Sequence, residues 1–87
     1  MYEIRLKRSV VKFLKDQEKK VQRQIYRHIE SLSENPFPVG CKKLEDDIYR
    51  VRSGVYRIIY HVRQQKLVID VVKIGHRQSV YKHLDLQ

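Results

Sequence analysis

A single cysteine, Cys41, is all the thiol chemistry in this 87-residue chain, which excludes an internal disulfide and makes the cytosol the default compartment. No apolar run approaches the roughly 18 residues that a bilayer-spanning helix needs, so no membrane partner is expected. The opening MYEIRLKRSV alternates charged and apolar side chains and contains no signal-peptide block. Repeats, linkers and low-complexity runs are absent, and so is any recognition-helix pattern of a DNA-binding repressor. His28 and His83 show no metal-ligand spacing, and neither metal nor cofactor is expected. Acidic residues are scarce: 10 Asp and Glu stand against 19 Lys and Arg, a net charge of +9.

What is present describes one globular domain, residues 1–87, with 41% hydrophobic and 33% charged residues. At this size only about 60–65% of the unfolded surface can be buried, so the core must be compact. The charge is uneven. Residues 1–47 carry 11 basic and 8 acidic side chains, residues 48–87 carry 8 basic and 2 acidic ones. The strand-rich part therefore holds two thirds of the excess, which suits a polyanionic partner.

Tyr2–Leu6 alternates with period two and reads as a strand. Ser9 reads as a helix N-cap, followed by Val10, Phe13, Leu14 and Gln17 at helical spacing. A second helix begins near Lys19 with the stripe Val21, Ile25, Ile29, Leu32, and the run Asn35–Gly40, with two prolines, stops it. Cys41–Asp47 reads as a polar connection. Three strands follow: Ile48–Arg52, a Ser53-Gly54 turn, Val55–Val62, then Leu67–Ile74, whose near-continuous apolar run suggests burial on both faces. The order is β-α-α-β-β-β, an α+β fold with a helical hairpin on a small, mostly antiparallel sheet.

In YRVRSGVYRIIYHV, residues 49–62, alternation puts Arg50 and Arg52 on one sheet face and Tyr49 and Val51 on the other. On the next strand Arg57, Ile59 and His61 oppose Tyr56, Ile58, Tyr60 and Val62. The aromatic and aliphatic face suits the helices, which leaves the arginine face uncovered. Guanidinium groups gathered on one face repel unless an anion relieves them, and guanidinium grips phosphate bidentately. Past the last strand, Gly75-His76-Arg77-Gln78-Ser79-Val80-Tyr81 adds a fourth arginine, a histidine able to titrate near neutrality, and a tyrosine on which a base can stack.

These two motifs, with Asn35-Pro36 and Lys43-Leu44, resemble the RelE/ParE superfamily of toxin–antitoxin toxins over essentially the whole chain. The resemblance implies one of two activities. RelE-like members are metal-independent endoribonucleases that cut mRNA in the ribosomal A site, and ParE-like members poison DNA gyrase. The positions matching the RelE site read Arg50, Arg52, Arg57, Arg77 and Tyr81, which favours the ribonuclease branch. The first pair is lysine in the best-known RelE pattern. Arginine does not lose its proton, so Arg50 and Arg52 are poor general bases. Arg52 and Arg57 suit stabilisation of the phosphorane charge, Arg77 the leaving oxygen and Tyr81 a base at the cut, with His76 the candidate proton shuttle. The resemblance further implies a cognate RelB-like antitoxin, a toxin–antitoxin hetero-oligomer, and mRNA and the ribosome as partners. A gyrase poison or an inactive antitoxin-binding relative is the alternative.

Overall fold

In the computed structural model, which describes residues 1–76, the chain runs β1 (Glu3–Leu6), α1 (Arg8–Lys15), α2 (Lys19–Glu34), β2 (Lys42–Glu45), β3 (Ile48–Ser53), β4 (Tyr56–Arg63) and β5 (Val68–His76). The strands form one five-stranded sheet in the order β1-β5-β4-β3-β2. Only β1 with β5 is parallel, and the other neighbours are antiparallel. The expected α+β class and helix–sheet layering hold, with one strand more than the sequence reading placed.

That strand is β2, in the segment read as a polar connection. Lys42 pairs with Arg50 and Lys43 with Tyr49, and a tight turn with Asp47 at φ 61° leads into β3. A short, charged edge strand carries little apolar signal because charge is what protects a sheet edge from further pairing.

Helix α1 starts earlier than Ser9 suggests. Lys7 is its N-cap, and its carbonyl accepts from the amides of Val10 and Val11, with no side-chain cap. The stripes then behave as their spacing requires. Val10 and Leu14 of α1, with Ile25, Ile29 and Leu32 of α2, are buried in one cluster against Val51, Ile58, Tyr60, Val62, Ile69, Val71 and Ile74. Helix α1 lies over β5, and α2 reaches β1 and β3. Removing these side chains from water is the main stabilisation, roughly 1.5–3 kcal/mol for each Leu, Ile or Val fully buried. Strand β5 has an interior place, with Val68, Ile69, Val71, Ile74 and Gly75 buried.

Two contacts hold the tip of the β3–β4 hairpin against α2. The His28 ring Nδ1 lies 2.8 Å from Ser53 Oγ. Gly54 takes φ +62°, and a Cβ there would stand 3.2 Å from the Gln24 amide nitrogen. The turn is Gly54-Val55 rather than Ser53-Gly54, because Ser53 pairs with Tyr56 and belongs to β3. Glycine leads the turn because that position needs positive φ.

Candidate functional site

Cross-strand partners share a sheet face, so the register assembles the site. Arg52 lies directly opposite Arg57, and Arg50 stands between Lys42 on β2 and Ile59 on β4. On the far side of β4, Arg57 faces Gly75 and Ile59 faces Lys73. Arg50, Arg52 and Arg57 thus occupy one end of the face turned away from the helices, as alternation predicts. The structure adds Lys42 and Lys73 to that end, neither of which the sequence reading placed there. Lys42 falls in a segment whose polar sequence reads as a connection. Lys73 could have been found by counting alternate positions back from Gly75.

The other end of the same face differs in charge. There Glu3 accepts from the Arg5 Nε at 2.9 Å and Asp70 from the Arg63 Nε at 2.6 Å. Hydrogen bonding to Glu3 raises the Arg5 pKa above its ordinary value. Among the described residues, no acidic side chain stands opposite a residue of the arginine end.

The expectation of an uncovered arginine face is corrected in one respect. Arg52 is exposed and Arg57 half-buried, but Arg50 is only 6% exposed, and Ile59 beside it is fully buried. A guanidinium on an interior strand is flanked on both sides, and long neighbours can shield it from water. Among the described residues, Arg50 Nε and Nη1 find no hydrogen-bond acceptor. A buried cation with open donors is costly, and an anion brought to it relieves that cost.

His76 is not brought to the arginine face. Gly75 stands opposite Arg57, so the next residue points the other way. His76 pairs with Tyr56, their rings 6.3 Å apart, on the side of the sheet that carries the helices. Arg77 and Tyr81 lie outside the described residues. Tyr56 is held by Phe13 edge-on at 5.7 Å and donates to Gln17 Oε1 at 3.3 Å. Behind the site, the buried Tyr60 hydroxyl donates to the Pro36 carbonyl at 2.7 Å, tying β4 to the end of α2. Burial, with smaller contributions from Cys41 and Tyr49, pushes this phenol well above its ordinary pKa.

His28 is half-buried and bonded to Ser53. Among the described residues there is no cluster of His, Cys, Asp or Glu that could hold a metal, and no helix is long and apolar enough to cross a membrane.

Residues 4–81 match the family described as ParE toxin of type II toxin–antitoxin system, parDE. The chain belongs to that toxin family. The RelE1 protein of Methanocaldococcus jannaschii is 32% identical over 87 residues, covering 94% of this chain and 97% of its own. A chain of the archaeal RelE–RelB complex from Pyrococcus horikoshii OT3 superposes with a TM-score of 0.77 at 29% identity, covering 87% of this chain and 94% of that one. The isolated Escherichia coli RelE toxin shares the fold, with a TM-score of 0.76 at 23% identity over 87% of this chain and 84% of that one. The protein is a toxin of the RelE/ParE superfamily.

Proposed function

We propose that this toxin is an mRNA interferase, an endoribonuclease that cuts translated mRNA in the ribosomal A site without a metal. The observation that carries the reading is the acid-free end of the sheet face, where Arg52 and Arg57 stand opposite each other beside the buried, open-handed Arg50. In the reaction the 2′-oxygen attacks the adjacent phosphorus, the 2′-proton leaves to a base, and the P–O5′ bond breaks as the departing oxygen gains a proton. A 2′,3′-cyclic phosphate remains. Negative charge builds on the phosphorane oxygens, and preorganised cations there are worth several kcal/mol of barrier, about 3 for one donor in comparable sites. Arg50, Arg52 and Arg57 supply that field. Arg77 is assigned to the leaving oxygen and Tyr81 to a base at the cut; both lie outside the described residues.

His76 was the proton shuttle offered by the sequence. From its place beside Tyr56 it reaches the arginine end only by swinging round the end of β5, so cleavage by His76→Ala is expected to stay near wild type. A cognate RelB-like antitoxin neutralises the toxin in a hetero-oligomer, as the RelE–RelB complexes among its structural neighbours suggest.

The second reading is a gyrase poison, favoured by the ParE description of the matching family. Inducing the chain in cells and mapping mRNA 5′ ends by primer extension separates the two. New ends inside translated frames, absent with Arg52→Ala plus Arg57→Ala, support the ribonuclease. Growth arrest with gyrase-dependent DNA breaks and no new ends supports the poison.

A further inference from the structure

A second cationic surface lies on α2, off the sheet. Lys20, Arg23, Gln24, Arg27 and His28 line a groove whose walls hold three cations, no acid and no apolar residue. Lys20, Arg23 and Arg27 fall at i, i+3 and i+7, a stripe about 10 Å long on one helix face. All three are exposed, and among the described residues the ion pairs are Arg5–Glu3 and Arg63–Asp70, so none of the three is neutralised. Like charges one turn apart destabilise a helix, so this stripe costs α2 some of its own stability.

The groove joins the hairpin of the arginine face. His28 bonds Ser53, and Gln24 packs on Gly54, the residues directly after Arg52. Beside the groove the exposed hairpin tip, Gly54-Val55, carries no acid, and it joins the strands that hold Arg52 and its cross-strand partner Arg57. The adjoining groove on the other side of Arg23 and Arg27 adds Tyr26, 37% exposed, and one acid, Glu30. Cations in line with an exposed aromatic ring are what single-stranded nucleic acid uses, phosphates on the cations and a base on the ring. A protein partner would call for a desolvated pocket at the centre of the patch, and the groove is lined by polar and charged residues alone.

We infer that the α2 groove of Lys20, Arg23 and Arg27 is a binding track for the phosphodiester backbone of single-stranded RNA, continuous over the hairpin tip with the arginine face. The track contributes affinity and register and takes no part in bond breaking. It extends the ribonuclease reading but is tested without cleavage, so the two can fail separately.

The test is fluorescence anisotropy with purified toxin and a fully 2′-O-methylated RNA of about 12 nucleotides, which cannot be cut. Lys20→Gln/Arg23→Gln/Arg27→Gln is expected to bind roughly a hundredfold more weakly at 0.1 M salt, the difference closing toward 1 M. The slope of log affinity against log salt should become shallower by about 2, at about 0.7 per lost single-strand contact. Arg23→Lys/Arg27→Lys keeps the charge and should keep the slope, which separates a track from a folding defect. Unchanged affinity and slope in the glutamine variant overturns the inference. A loss seen with a poly-glutamate peptide but not with RNA overturns it in favour of an acidic protein partner.

Discussion

Replacing Arg50 by methionine should stabilise the free toxin while disabling it. Arg50 is 6% exposed, and among the described residues its Nε and Nη1 donors have no acceptor. An unsatisfied buried polar group costs about 1–3 kcal/mol, and more when charged. Methionine keeps most of the stem and removes the cation, and replacing buried ionic groups by apolar ones of similar volume has stabilised proteins by about 1–4 kcal/mol. Repacking loss offsets part of this, so a net gain of about 1–3 kcal/mol is expected. For a domain this size each kcal/mol moves Tm by roughly 4–8 °C. Thermal unfolding followed by circular dichroism, in low salt without phosphate, should therefore place Arg50→Met about 5–20 °C above wild type. Added phosphate should raise the wild-type Tm through binding to the native state and leave the variant nearly unmoved. A variant Tm several degrees below wild type, or one that still responds to phosphate like wild type, would mean that Arg50 is paired within the fold and is no anion site.

Other perturbations follow from the same contacts. Tyr60→Phe removes the donor to the Pro36 carbonyl and should cost about 1–2 kcal/mol in urea unfolding. The Tyr60 pKa is raised in the fold, so its contribution is fully present below the ordinary phenol value of 10.0 and is lost as pH rises through the folded value; Tyr60→Phe should flatten that alkaline decline. Gly54→Ala, forced to φ +62° with Gln24 3.2 Å away, should lose about 1–2 kcal/mol in the same assay. Arg57→Ala should abolish growth arrest with Tm within a few degrees of wild type, and an unfolded variant would count against its assignment to the site.

Much of the architecture was legible because period and punctuation agreed. The α2 stripe Ile25, Ile29, Leu32 is buried as spaced, and Asn35 caps the helix where the prolines begin. Alternation alone put Arg50, Arg52 and Arg57 on one face. Strand β2 was missed because its charged side chains serve an edge, where pairing comes from the backbone of β3 and not from apolar contacts. The burial of Arg50 was missed because alternation gives a residue's face but not how much its neighbours cover it. His76 was placed with the arginines by nearness in sequence. The pleat, which turns successive residues to opposite sides, puts it with Tyr56. Lys73 is hidden inside an apolar run, and the extra residue Val72, between Lys73 opposite Ile59 and Val71 opposite Tyr60, breaks simple alternation along β5 itself.

If the arginine face cleaves RNA through the 2′-hydroxyl, one substitution in the substrate abolishes the cut. Purified toxin would be added to ribosomes programmed with a labelled mRNA carrying either ribose or a single 2′-deoxyribose at the nucleotide cut in the A-site codon. Cleavage of the all-ribose message to a 2′,3′-cyclic phosphate end is expected, abolished by the single deoxy substitution and by Arg57→Ala. Cleavage that survives the deoxy substitution, or an intact message from a toxin that still arrests growth, would contradict that chemistry.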